Sequence, residues 1–221
     1  MTDTTLVPLT PEQVTAFFTR ADGQFLFARW GRPIVPVVFG VEEATVSILK
    51  GAIEAVVALA AHKMAETDPE LGANLMVFFL RDWAELRETP NLDRLIPDLA
   101  QTVDRLDQAD ANQYRAFRFD AEGGIKAAFV FVRMDAALSA VPAESIALSQ
   151  VVQTILLWSD TAFLGTSPLA ILREGGPAIL KPQIADLIRA AYDPVLPVAA
   201  TDPAHALRLV ARLQRLRGGQ Q

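Results

Sequence analysis

The hydrophobic residues of this chain follow two different periods, which predicts a protein built from both helices and strands. Thr10 to Gln13 combine an N-cap threonine, a proline at the first helical position and a glutamine three residues after the cap, so a helix is predicted to begin there. Apolar residues at i, i+3, i+4 and i+7 predict further helices. In the one over 92–106, Pro97 is expected in the first turn. These helices cover 41–66, 92–106, 145–158, 183–192 and 203–216.

Five short segments are predicted to be strands, of which 24–30, an extended aromatic segment, is the first. The segment 34–39 contains Pro36, which cannot donate to a neighbouring strand, so this strand is expected to lie at a sheet edge or to be distorted at Pro36. The uninterrupted apolar run 74–80 is typical of a strand that is covered on both faces. The segments 114–120 and 125–134 flank Ala-Glu-Gly-Gly, which predicts an antiparallel hairpin.

The order of these elements predicts one α+β domain over residues 1–221. We expect a mixed sheet with an antiparallel hairpin, packed by a long helix and a core helix. Residues 1–22 form an N-terminal helical extension in this interpretation, and residues 165–221 form a helical C-terminal subdomain after a loop over 164–182. Strands and helices alternate only once, which argues against a doubly wound parallel sheet.

The composition removes several kinds of chemistry. The chain has no cysteine and only two histidines, so disulfides, iron–sulfur clusters and ordinary zinc sites are not expected. His62, late on the long helix, and His205, in the first turn of the last helix, are both interpreted as structural residues. No glycine-rich nucleotide-binding motif or G-x-S-x-G motif occurs. We therefore expect no cofactor, no metal and no catalytic residue of a standard type.

Charge and hydropathy limit the partners. The formal net charge is −6, so nucleic-acid binding is not expected. The most apolar long segment, 41–64, carries too many charged residues to cross a bilayer. The first residues lack the basic start and apolar stretch of a secretory signal, so a cytoplasmic protein is expected; an exported protein that had lost its leader would look the same.

The order of strand, long helix, strand, hairpin and helix is similar to the zincin fold of metallopeptidases. In that fold the last of these helices carries H-E-x-x-H, in which two histidines bind zinc and the glutamate takes a proton from the bound water. Aligned with this motif, Ser149 and Gln153 occupy the histidine positions, Gln150 the glutamate position and Leu156 a usual glycine position. The resemblance therefore implies a helix that has lost its metal-binding and catalytic groups.

The chain more closely resembles a bacterial family of zincin-like proteins of unknown function. Members share an E-E-x-x-Q-x-L-G-L helix followed by N-D and a short turn, and a C-terminal D-x-x-L-[LI]-x-x-x-Y-D-P-x-[LI] segment. Gln153 matches the glutamine of the helix, whereas Ser149 and Gln150 replace its paired acids. The matching segments extend over about Phe25 to Val210, and they are 29–34, 73–79, 149–153, 159–163 and 186–196.

The resemblance implies a non-catalytic, zincin-like pseudo-metallopeptidase that is a binding or interaction module. Ser149, Gln150 and Gln153 would line its degenerate cleft, unless this helix is simply a core helix whose amides bond to neighbouring strands. The partner would be a peptide or protein segment, added as a strand to the hairpin edge Ala127–Arg133.

Two further functions stay open from the residues alone. The first is a hydrolase or peptidase with a non-standard active site, centred on Ser149 with a histidine brought to it by folding. The second is a scaffold subunit with an exposed apolar patch around Trp30, Trp83 or Phe163.

Overall fold

The computed structural model describes residues 8–172 and 176–218; the parts of the predicted terminal segments and of the 164–182 loop that fall on 1–7, 173–175 and 219–221 lie outside the described residues. The helices are α1 (Pro11–Phe18), α2 (Glu43–Leu59), α3 (Glu85–Glu88), α4 (Leu92–Leu95), α5 (Leu99–Gln108), α6 (Ala136–Ser139), α7 (Ala143–Val152), α8 (Pro182–Ala191) and α9 (Ala204–Gly218). The strands are β1 (Phe27–Ala28), β2 (Pro36–Phe39), β3 (Leu75–Leu80), β4 (Gln113–Phe119), β5 (Ile125–Arg133), β6 (Leu169–Ile171), β7 (Ala178–Leu180) and β8 (Ala199–Ala200).

The central sheet has the strand order β2-β3-β5-β4. β2, β3 and β5 run parallel, and β4 pairs antiparallel with β5 as the first arm of a hairpin. The predicted α+β architecture with a mixed sheet and an antiparallel hairpin is therefore confirmed. β2, which contains Pro36, lies at an edge as predicted.

Both faces of this sheet are covered, because alternate residues of β3 and β5 enter two different apolar clusters. Leu75, Val77 and Phe79 pack with α2 and α7 on one face. Phe78 and Leu80 pack with Trp83 and the helices α3 to α5 on the other. This arrangement explains why β3 is apolar at every position.

The C-terminal elements share the first of these cores. Leu187 on α8 and Leu209 on α9 are fully buried in the cluster that holds α1 and α2. β8 pairs with β1, which brings the segment before α9 back to the N-terminal part of the chain. The segment 164–182, predicted as a loop, contains the small antiparallel hairpin β6–β7.

Two predicted helices end earlier than expected because extended segments pair elsewhere. α2 ends at Leu59; Ala61 takes a left-handed conformation and the amide of His62 bonds to the carbonyl of Val57. The residues that follow pair with Ile34 instead of continuing the helix. α7 ends at Val152 rather than near Trp158.

The predicted helix over 92–106 is two helices, α4 and α5. Ile96 is extended and Asp98 has φ +55°, so the chain turns at Pro97. A proline disfavours helical backbone at the residue before it, which separates the two apolar helical segments.

Candidate functional site

The three side chains predicted to line a cleft lie at the C-terminal end of α7. Gln150 is 3% exposed, and Ser149 and Gln153 are half-buried. The Nε2 of Gln153 donates to the Oγ of Ser149 at 2.9 Å, so these two side chains pair with each other. Gln150 points to β4 instead and shares none of these contacts.

Gln150 takes part in a polar triangle with two side chains of β4. Its Oε1 accepts a hydrogen bond of 2.6 Å from the Nη2 of Arg115, and its Nε2 donates to the Oε1 of Gln113 at 2.8 Å. The same Nη2 also donates to the Oε1 of Gln113 at 3.0 Å. Gln150 is thus a buried amide bonded to a neighbouring strand, as the core-helix interpretation expects.

Arg115 is a candidate site residue that the sequence analysis missed. Its Nε is buried without a hydrogen-bond partner, and no carboxylate of the described residues lies within 4.0 Å of its guanidinium. Burial alone lowers the pKa of Arg115 to about 10. Two charged residues in the strand sequence Tyr-Arg-Ala-Phe-Arg-Phe were the available signal, since a buried strand rarely contains arginine.

Arg115 opens into a groove of about 740 Å³ that runs over the outer edge of β4. We call it the β4 groove. Its floor contains Gln113, Arg115 and Phe117, and Arg105 and Leu106 at the end of α5 form one wall. The segment 157–164, together with Arg20 and Gln153, forms the other side. Of the three predicted residues, Gln153 lines this groove.

A second cavity, of about 690 Å³, lies at the carboxyl ends of β2 and β3, where many α/β proteins bind ligands. Its lining is largely aliphatic, with Leu49, Leu80 and Ile146 among its walls. Glu85 contributes a carboxylate there, but its Oε1 already accepts hydrogen bonds from the backbone amides of Arg81 and Asp82. Arg81 also lines this cavity but is exposed, whereas Arg115 in the β4 groove has a buried Nε without a partner, so the β4 groove is the stronger candidate.

The two histidines lie away from Ser149. The Nε2 of His62 is 2.9 Å from the carbonyl of Arg32, and burial lowers the pKa of its ring. The ring of His205 is 1% exposed and packs 4.3 Å from Phe27, with neither nitrogen hydrogen-bonded to a described residue. Neither histidine forms a hydrogen bond with Ser149, so neither ring is positioned to act as its general base.

Two other expectations about the surface are wrong. β5 lies between β3 and β4, so both of its edges are hydrogen-bonded and Ala127–Arg133 offers no edge for strand addition. Trp30 and Trp83 are both 0% exposed, so neither belongs to an exposed apolar patch. Phe163 is half-buried and packs against Phe17 and Trp158.

Within 8–172 and 176–218, no three side chains of the types that hold metal ions come together. Over the same part of the chain, no helix has the length and apolar character needed to cross a membrane.

Comparison with known proteins found no matching family model, no matching curated protein and no matching solved structure. The similarity to zincin-like proteins has no support from these comparisons and stays a prediction from the sequence.

Proposed function

We propose that the protein is a non-catalytic binding module that takes up an extended peptide or protein segment along the free edge of β4. The observation that carries this proposal is the position of β4, an edge strand of the central sheet whose outer side forms the floor of the β4 groove. Strand addition to such an edge supplies main-chain hydrogen bonds, while side pockets select the side chains.

The register of the hairpin indicates which backbone groups of β4 are free. The amide of Arg133 donates to the carbonyl of Asn112 at 2.9 Å, so Asn112 and every second residue after it face β5. The N–H groups of Gln113, Arg115 and Phe117 therefore face away from β5. The carbonyl of Phe117 accepts a hydrogen bond of 3.0 Å from the Nη1 of Arg118. The carbonyls of Gln113 and Arg115 are therefore the free acceptors.

The groove walls suit a bound strand. An added strand lies about 4.8 Å from its neighbour, which places it between the end of α5 and the segment 157–164. Phe163, which is half-buried, and Leu164, which is exposed, give that second wall apolar area for alternate side chains of the bound segment. A free backbone edge with an apolar wall beside it favours an extended chain over a compact small molecule.

The chemistry of α7 supports a role without catalysis. The Oγ of Ser149 is bonded by the amide of Gln153, which cannot accept a proton from it. Gln150 is buried in contact with Arg115 and does not reach the groove lining. The resemblance to peptidases that have lost H-E-x-x-H agrees with a binding role, and no contact at Ser149 favours the hydrolase alternative.

The test compares two variants of Gln113, the first residue of β4. Gln113→Pro removes an outward N–H at a position where an edge strand tolerates proline, and Gln113→Ala removes the same side chain but keeps the N–H. The probe is a pool of end-blocked octapeptides randomised over all residues except cysteine and proline. We expect Gln113→Pro to bind the pool about 3- to 10-fold more weakly than Gln113→Ala, the value of one hydrogen bond. Equal binding by both variants, or none by the wild type, contradicts the proposal.

A further inference from the structure

We propose that the β4 groove recognises a carboxylate of its bound segment through Arg115, with Arg20 and Arg105 at the rim. This inference rests on the proposed function and names the chemistry of the ligand. It is carried by a half-buried cation whose Nε is buried without a partner and which the protein itself leaves without a counter-ion.

Arg115 differs from two paired arginines of the chain. It also differs from Arg29, whose Nε is likewise unbonded but whose Nη2 donates to the carbonyl of Leu196 and whose guanidinium lies over the ring of Tyr192. Arg133, on the neighbouring strand β5, pairs with Asp110 at 2.6 Å, and Arg32 pairs with Asp68 at 3.4 Å. The guanidinium of Arg115 instead bonds only to the neutral amides of Gln113 and Gln150. A buried charge without a partner is costly, and an aliphatic residue would fill the same space without that cost.

The amides orient the guanidinium and leave part of it free. Gln113 and Gln150 both accept from Nη2, and they are joined by a hydrogen bond of their own, so the group is held from one side. Nη1 makes no hydrogen bond to a described residue, and Arg115 lines the groove. A preorganised donor of this kind binds an anion without losing side-chain entropy.

The surroundings of Arg115 are positively charged although the whole chain carries a net charge of −6. Arg20 and Arg105 line the same groove, and neither side chain forms an ion pair with a described residue. Asp160 also lines it, but its Oδ1 accepts from the amide of Ala21 at 3.1 Å and from the hydroxyl of Ser159 at 3.2 Å. The groove thus contains three arginines and one aspartate that already accepts hydrogen bonds, and this excess of positive charge favours an anionic ligand.

A carboxylate fits this site better than a phosphoryl group. One buried guanidinium with one free Nη group matches a single negative charge, whereas a phosphoryl group carries nearly two charges and three acceptor oxygens. In a peptide, the carboxylate comes from an acidic side chain or from the C-terminus. Both sources share the same chemistry, and the peptides described next separate them.

The experiment measures dissociation constants for four octapeptides made of threonine, valine and serine. One is end-blocked with a central glutamate, one has glutamine in its place, one has that glutamine and a free C-terminal carboxylate, and one is end-blocked with a central phosphoserine. We expect the glutamate or the free-terminus peptide to bind the wild type at least tenfold more tightly than the blocked glutamine peptide. The preference is expected to weaken between 50 and 300 mM salt.

Variants assign the preference to the groove. Arg115→Gln is expected to remove it, and Arg105→Gln, at an exposed position that does not affect folding, to reduce it about 2- to 3-fold. Arg94→Gln makes the same charge change at an exposed site on α4 outside the groove and is expected to leave it unchanged.

The outcomes separate the two proposals. If the glutamate, free-terminus and glutamine peptides bind the wild type equally tightly, the carboxylate inference is wrong and the proposed function stands. If none of the four peptides binds, the proposed function is wrong, and the carboxylate inference that rests on it is wrong as well. Tightest binding of the phosphoserine peptide, or a preference that survives Arg115→Gln and Arg105→Gln, also overturns the inference.

Discussion

The Oε1 of Gln150 accepts a 2.6 Å hydrogen bond from the Nη2 of Arg115, across the space between α7 and β4. The contact joins residues 35 positions apart and fixes a cation at the edge of the central sheet. In the H-E-x-x-H alignment predicted from the sequence, the glutamate position corresponds to this amide. The contact connects the predicted cleft residues to the β4 groove.

Replacing Gln150 with glutamate is expected to give Arg115 an internal counter-ion. At pH 7 the free energy of unfolding of Gln150→Glu should be at least equal to that of the wild type. The charged hydrogen bond from Arg115 outweighs the lost bond from the Nε2 of Gln150 to the Oε1 of Gln113. The carboxylate would have a folded-state pKa below its unfolded value of about 4.3, so this stability is present above that pH and lost as the pH falls through the folded-state pKa. Urea unfolding at pH 7 and pH 3 measures it.

Gln150→Leu is the control for this substitution. It leaves the Nη2 of Arg115 with one acceptor fewer in a buried position, so we expect a loss of about 2 kcal/mol at both pH values. Gln150→Glu should also weaken binding of the glutamate octapeptide about tenfold, since its carboxylate occupies the cation. The ion pair would be contradicted if the stability of Gln150→Glu relative to the wild type were no more favourable at pH 7 than at pH 3.

His205 is expected to make the protein less stable in mild acid. Burial against Phe27, with a smaller effect of Arg208, lowers the pKa of its ring to about 4 from an ordinary value of 6.5. Between these values the unfolded chain binds a proton that the folded chain does not, so the free energy of unfolding falls as the pH drops from 6.5 to 4. The contribution is about 3 kcal/mol.

The pH dependence of His205→Leu provides the measurement. His62 is present in both proteins, so its own lowered pKa cancels in the difference. We expect the stability difference between wild type and variant, measured by urea unfolding, to change by about 3 kcal/mol between pH 7 and pH 4. A difference that is constant over this range would show that the His205 ring titrates normally in the fold.

Asn74 is expected to be a major source of stability at the start of β3. It is 0% exposed; its Oδ1 accepts the amide of Val35 at 2.8 Å, and its Nδ2 donates to the carbonyl of Pro33 at 2.9 Å. Asn74→Ala leaves both backbone groups without partners, which should cost about 2–4 kcal/mol. Gln101→Ala, on the exposed face of α5, is expected to change stability by less than about 0.5 kcal/mol, and similar losses in both variants would refute this role.

Much of the fold follows from local sequence signals. The capping box of α1 is present as predicted, with the amide of Gln13 bonded to the Oγ1 of Thr10 at 3.3 Å. The continuous apolar run of β3 and the glycine pair between β4 and β5 indicate elements that the structure contains. Each of these signals acts within a few residues, so the sequence alone reveals it.

The features that sequence reasoning missed depend on distant contacts. α7 ends early because the chain beyond it pairs with the N-terminal segment: Leu156 forms a β-bridge with Arg29, and the Nε1 of Trp30 donates to the carbonyl of Thr154 at 2.9 Å. β6 and β7 have three residues each, too few to show a period. Arg115 meets Gln150 only after β4 and α7 have packed, so no local pattern marks their pairing.

The most direct test of the β4 groove is amide hydrogen exchange along β4, measured by NMR with and without the end-blocked octapeptide pool. The account predicts that the amides of Gln113, Arg115 and Phe117 exchange more slowly when the peptides are bound, because an added strand accepts their hydrogens, while the amide of Val38 on the opposite edge of the sheet is unchanged. Peptide binding that leaves the three β4 amides unprotected would contradict the account.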